Sequence, residues 1–202
     1  MDRNDRPFLP NPILGSMMGL CPVIAVTGNF ASGSVIAVGM LLSMLSLGAL
    51  LPAVRGLLPE RLRAPMALAL AATITALYSL GVAAYSPTIW SLTGIFLPLL
   101  LVNCLNLATL RRGIHDDESF SQWVFPAAML YFATVLLLAA FREIAGAGRL
   151  TLPLPGDSPQ TLRIFDAAPF RTLTAPMGGF ILLGLLAFGY RVVLRKQGKR
   201  IP

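Results

Sequence analysis

The sequence predicts an all-α polytopic membrane protein: six transmembrane helices forming two inverted three-helix halves, with helices 1 and 4 broken. Three observations lead there. Hydrophobic residues make up 55% of the 202 residues and charged residues only 12%, half the roughly one-quarter charged content of a soluble domain. The apolar residues gather into six blocks of near-spanning length. Proline interrupts the first and the fourth of these blocks, close to a cysteine each time.

The composition also excludes. A water-soluble globule lacks the charge to cover its surface, and a disordered chain is poor in apolar residues. Two cysteines and one histidine make neither a disulfide scaffold nor a multi-histidine metal cage. The net charge of +7 suggests nucleic acid until the basic residues are located. They lie between and after the apolar blocks, so lipid is the expected surroundings and no nucleic acid is expected. No phosphate loop, nucleotide fold or nucleophile–base arrangement is visible.

The blocks run at about 11–28, 32–52, 65–84, 88–110, 122–141 and 175–194. Most reach the roughly 20 residues needed to cross about 30 Å of hydrocarbon. Val35 to Leu51 and Met66 to Tyr85 are rich in Leu, Ala and Met, as helices are. Glycine and proline within the blocks suit membrane helices better than soluble ones. No soluble domain fits: the longest polar stretch runs only from Arg142 to Thr174. The chain therefore reads as one integral membrane domain over 1–202, with halves at about 11–85 and 88–194. The N-terminal residues, with Asp2, Arg3, Asp5, Arg6 and two prolines, do not read as a secretory signal peptide.

Lys and Arg give the orientation. With six spans, one side holds twelve basic residues, at Arg3, Arg6, Arg55, Arg61, Arg63, Arg111, Arg112, Arg191, Arg195, Lys196, Lys199 and Arg200. The other holds four, at Arg142, Arg149, Arg163 and Arg171. The positive-inside rule places both termini in the cytoplasm, and the run Arg195 to Arg200 reads as a topology anchor.

Chemistry centres on the cysteines. Cys21 lies in Met18-Gly19-Leu20-Cys21-Pro22, where Pro22 removes a backbone donor and Gly19 loosens the turn, predicting a break or kink. Cys104 follows Pro98 and Asn103 late in the fourth span. Interrupted spans at matching places in two halves point to a functional centre. At 1.5 Å per residue, Cys21 lies roughly 16 Å and Cys104 about 10 Å from the cytoplasmic face. Spacing alone leaves three readings: packing thiols, since free cysteine is often buried, a buried disulfide, or a redox centre.

Asn11-Pro12-Ile13-Leu14 through Gly19-Leu20-Cys21-Pro22, with Ala25-Val26-Thr27, resembles the opening of the E-type subunit of the Rnf electron-transport complex. It equally resembles the D-type subunit of the sodium-translocating NADH:quinone reductase (Nqr). Gly94 to Leu99 followed by Asn103-Cys104 is similar to the second signature of that family. Arg142-Glu143-Ile144-Ala145-Gly146-Ala147-Gly148 resembles its Arg-Glu-Ile-x-Gly-x-Gly segment, and Ala175 to Ile181 resembles the start of its last helix. The matches span nearly the whole chain. The Arg-Glu-Ile segment favours this RnfE/NqrD type over the sister RnfA/NqrE type, which shares both cysteine motifs. Leu105 to Thr109 and Gln122 to Pro126 depart from the family pattern, as in a divergent member.

The resemblance implies a membrane component of an ion-translocating oxidoreductase in a bacterial inner membrane, with no activity expected of the isolated chain. It implies a [2Fe–2S] cluster ligated by Cys21 and Cys104, supported by Gly19, Pro22, Pro98 and Asn103, and shared with a homologous six-helix sister subunit of the RnfA/NqrE type. The expected companions are a cytoplasmic iron–sulfur subunit and a flavin subunit. The reading from residues alone keeps an alternative: a multi-pass transporter or structural subunit whose cysteines are incidental.

Other polar residues carry smaller expectations. Arg142-Glu143 reads as an interfacial anchor for the following loop or as the lining of a cation route. His115 with Asp116, Asp117 and Glu118 reads as a solvated loop. Tyr85, Trp90 and Trp123 read as belt aromatics. Gly178-Gly179, Gly184 and Gly189 are expected to allow close helix contacts.

Overall fold

Two long helices form the centre of the molecule. In the computed structural model, which describes residues 19–57, 59–115, 120–152, 160–163 and 173–196, they are α2 (Phe30–Leu57) and α6 (Phe120–Ala147). Ile36, Met40, Met44, Leu47 and Leu51 are buried on α2, and Val124, Ala128, Tyr131, Val135 and Leu138 on α6. Steps of three, four and seven residues put each set on one helical face, and the two faces pack together. Gly39 lets α3 (Glu60–Tyr85) come close: a Cβ there would stand 2.5 Å from a ring carbon of Tyr78.

The remaining elements are α1 (Leu20–Val26), α4 (Pro87–Thr93), a 3-10 turn (Pro98–Leu100), α5 (Cys104–His115), β1 (Arg149–Leu152), β2 (Gln160–Arg163) and α7 (Pro176–Lys196). Among the described residues, three helices are long and apolar enough to cross a membrane: Phe30–Ala53, Arg61–Tyr85 and Val124–Ala147. Pro176–Tyr190 is a shorter apolar helix. Leu77, Leu80, Ile95, Leu137, Phe180 and Ile181 are all exposed. Apolar faces of this extent suit lipid or a partner helix, not water.

The fourth expected span is broken. Helix α4 stops at Thr93, the chain turns irregularly, and α5 starts at Cys104. A break inside hydrocarbon leaves backbone groups that water cannot satisfy. Here they are met locally: Phe96 and Leu97 N–H donate to the Thr93 carbonyl at 2.8 and 3.2 Å. The Asn106 side chain donates to the Leu100 carbonyl at 2.7 Å. Pro98 occupies the first position of the 3-10 turn, where a missing N–H costs nothing.

Several expectations are corrected. Pro22 does not kink a continuous helix; it is the third residue of α1, in the first turn, where no intrahelical partner is lost. Helix α1 begins directly after Gly19. The stretch after α6 is not devoid of regular structure: β1 and β2 pair antiparallel, with Leu150 opposite Leu162 and Thr151 opposite Thr161. Helix α6 runs past the expected end at 141 and closes at Gly148, whose φ of 64° and N–H bond to the Ile144 carbonyl at 3.1 Å make a left-handed cap. Arg142 and Glu143 therefore belong to the helix and not to a loop. Gly178 and Gly179 are buried, but among the described residues nothing approaches within 4 Å of a Cβ at Gly184 or Gly189. Tyr85 and Trp90 are exposed, as belt residues would be. The segment before Gly19, Asp116 to Ser119, the C-terminal residues from Gln197, and the side chains of His115, Trp123, Arg195 and Lys196 lie outside the described residues.

Candidate functional site

The start of α1 meets the start of α5. Gly19, just before α1, has φ 82° and ψ 15°, a left-handed conformation that costs any other L-residue roughly 1–2 kcal/mol. The space is closed as well: a Cβ at Gly19 would stand 2.7 Å from Cε2 of Tyr131. In this conformation the Gly19 N–H donates to Sγ of Cys104 at 3.1 Å. Its carbonyl accepts from the Tyr131 hydroxyl at 3.2 Å.

Cys21 lies in the first turn of α1 and Cys104 is the first residue of α5. Both are free thiols, exposed on this chain. They are neither joined as a disulfide nor buried as core thiols. Asn103, directly before α5, is almost fully buried. Its side-chain oxygen accepts from the Leu105 N–H at 3.3 Å, the bond a helix N-cap makes. The Cys104 thiol donates to the same oxygen at 3.6 Å, and the Asn103 amide donates to Sδ of Met40 at 3.7 Å. Pro22 is buried beside Cys21, and Pro98 is exposed at the head of the 3-10 turn. Five of the six residues singled out in the sequence thus belong to one locality, and Pro98 serves it by shaping the approach to Asn103.

Sequence reasoning does not single out Tyr131. It is fully buried on α6, interacts with Asn103 and lies within electrostatic reach of both cysteines. A signal is present nonetheless: a tyrosine mid-way along an apolar helix needs a partner for its hydroxyl. Asn106 stands out in the sequence only as part of a departure from the family pattern. It is wholly buried and bonds Ser43 Oγ at 2.9 Å besides the Leu100 carbonyl, tying the broken span to α2.

A second polar cluster holds the other end of α1. Arg142 and Glu143 are both fully buried. The guanidinium donates to the Ile24 carbonyl at 3.1 Å, to the Thr27 hydroxyl, and to the carbonyls of Leu173, Thr174 and Ala175 at 3.1, 3.3 and 2.9 Å. Gly179 of α7 packs against it; a Cβ there would fall 2.9 Å from Cζ. Glu143 accepts from the Phe30 N–H at 2.7 Å and from the Thr151 hydroxyl at 2.8 Å. The cation thus sits at the C-terminal end of α1 and the anion at the N-terminal end of α2, each where the helix dipole favours it. The guanidinium thus holds the loop end at Leu173 to Ala175, and both charged side chains are buried in protein.

Among the described residues, no group of three or more His, Cys, Asp or Glu gathers to hold a metal ion. The chain brings two thiols to one place and leaves them open outward.

Comparison with known proteins agrees with a membrane protein of this kind. The family model described as Rnf-Nqr subunit, membrane protein, matches residues 5–187. The chain is 30% identical over 201 residues to the E subunit of the ion-translocating oxidoreductase complex of Shewanella sp. (strain ANA-3), covering 95% of this chain and 86% of that one. The protein of the same name from Shewanella baltica (strain OS185) is similar at 30% identity with the same coverage, and that of Shewanella oneidensis at 29%.

Proposed function

The chain belongs to the Rnf-Nqr family of membrane subunits, and from that premise we propose that it relays electrons across a bacterial inner membrane through a [2Fe–2S] cluster shared with a homologous six-helix sister subunit. In this reading it is one component of an ion-translocating oxidoreductase, with a cytoplasmic iron–sulfur subunit and a flavin subunit as companions. The chain alone has no activity. Its halves are inverted repeats, each opening with a broken helix that carries a cysteine, and both termini face the cytoplasm.

One observation carries the proposal: the Gly19 N–H donates to Cys104 Sγ, which brings the break beside Cys21 against the break beside Cys104. The donor set fits half a site. Such a cluster takes four thiolates, this chain offers two, and both are exposed on its surface. When bound, the cluster supplies a one-electron carrier within the bilayer. Cys21 and Cys104 would ligate it. Gly19 donates to sulfur, and Asn103 caps α5, keeping its N-terminal N–H groups directed toward negative charge at Cys104. Hydrogen bonds of this kind tune cluster potential.

The test is the iron content and visible absorption of the purified complex. Cluster absorption that disappears with either cysteine supports the relay. A complete complex whose iron count and cluster absorption stay the same when either cysteine is replaced returns the chain to the transporter or structural reading.

A further inference from the structure

We propose that Tyr131 is a positioning residue that sets the reduction potential of the centre at Cys104, acting through Gly19; this rests on the cluster reading above. The conformational freedom of glycine is the starting point. Gly19 populates left- and right-handed conformations with little preference, so nothing in the residue itself keeps its N–H aimed at Cys104. The aim is imposed from outside. The Tyr131 hydroxyl holds the Gly19 carbonyl at 3.2 Å, and the Tyr131 ring fills the space that a side chain at Gly19 would need. With the carbonyl held on one side of the Gly19 Cα and the ring packed against that carbon, the two peptide groups that meet at Gly19 keep their relative orientation, and the N–H of the preceding one lies 3.1 Å from Sγ. Tyr131 is itself held firmly, fully buried on the face of α6 that packs against α2.

The sign follows from electrostatics. An N–H directed at a ligand sulfur stabilises the more negative, reduced state of a cluster and raises its potential. Without the tyrosine hydroxyl the Gly19 carbonyl is released, the dihedral angles at Gly19 can relax, and the N–H on its other side can turn from the sulfur, so the reduced state loses that support. The potential then falls.

The experiment uses the whole complex carrying Tyr131→Phe, which keeps the ring against Gly19 and removes only the hydroxyl. Tyr78→Phe is the control, because it deletes a comparable bond, from the Tyr78 hydroxyl to the Val35 carbonyl at 2.6 Å, on a different helix. Iron content and the midpoint potential from a redox titration followed by electron paramagnetic resonance are measured for both. The expected result is parental iron in both variants, with a more negative midpoint in Tyr131→Phe alone. Parental iron with an unshifted midpoint overturns the proposal, as does an equal shift in Tyr78→Phe. Loss of iron in Tyr131→Phe assigns the residue to holding the site together and also overturns it. A parental complex whose iron count and [2Fe–2S] signal are unchanged by Cys21→Ser and Cys104→Ser instead overturns the cluster reading itself.

Discussion

Gly19 and Cys104, 85 positions apart in the chain, are joined by a hydrogen bond from the Gly19 backbone N–H to the cysteine sulfur. The bond ties the start of α1 to the start of α5, so that two helix starts from distant parts of the chain share one locality. What the locality does can be tested from several sides.

Cys21→Ser and Cys104→Ser are expected to abolish the cluster absorption and electron transfer through the complex while leaving assembly intact. Serine is close to cysteine in size, and both side chains are exposed on this chain. Leu105→Ala is the structural comparison: Leu105 is fully buried, and such a truncation costs about 2–5 kcal/mol. Retention of iron and activity in both serine variants would sink the ligand assignment.

Gly19→Ala tests the close approach. The left-handed backbone costs roughly 1–2 kcal/mol for alanine, and the new Cβ would meet Tyr131 at 2.7 Å. The expected outcome is a lower thermal midpoint of the purified complex together with reduced iron content. A variant with parental thermal midpoint and iron shows that the Gly19 geometry is not needed.

Arg142→Ala is expected to cost about 3–5 kcal/mol, the range for breaking a buried charged network by removing one partner. Its five hydrogen bonds close the C-terminal end of α1 and the approach to α7. Arg142→Lys should rescue little, because an ammonium cannot reproduce a planar fork reaching several carbonyls. Glu143→Gln keeps an acceptor for the Phe30 N–H and should cost no more than about 1–2 kcal/mol. Thermal unfolding in detergent orders the three variants, and a near-parental Arg142→Lys contradicts this account.

A reporter fused after Pro202 is expected to be active only if it works in the cytoplasm. Because Arg142 is buried within α6, only Arg149, Arg163 and Arg171 remain to charge one expected side, against twelve basic residues on the other, which the positive-inside rule assigns to the cytoplasm. Activity of an alkaline phosphatase fusion at the C-terminus would reverse the orientation.

Much of the fold is legible in the sequence because hydrocarbon imposes one demand, length in apolar residues, and the blocks at 32–52, 65–84 and 122–141 meet it within α2, α3 and α6. The break in the fourth span is legible from Pro98. The two cysteines are legible as residues and are expected at one site, but the contact that ties Gly19 to Cys104 is not legible, since it depends on a glycine in a left-handed conformation and on a tyrosine from another helix. Arg142 is misplaced when charge is taken as the end of a span. It continues the buried stripe Val124, Ala128, Tyr131, Val135 and Leu138 by another four residues, and that periodicity puts it inside. The hairpin escapes notice because strands of four residues carry little alternation, although the intervening sequence is rich in Pro, Gly, Asp and Ser, the composition of hairpin connections.

The partners of Arg142 and Glu143 fall on both sides of them in the chain. Ile24, Thr27 and Phe30 precede α6, whereas Thr151, Leu173, Thr174 and Ala175 follow it. A chain is synthesised from its N-terminus, and earlier segments are available first. When α6 emerges, the carbonyl end of α1 and the amide end of α2 have already been made, so both charges can find acceptors and donors as the helix arrives. The later residues, arriving with β1 and the start of α7, then close over an arginine that is already held. The burial of these two side chains can thereby proceed in two smaller steps, the first possible as soon as α6 has been made.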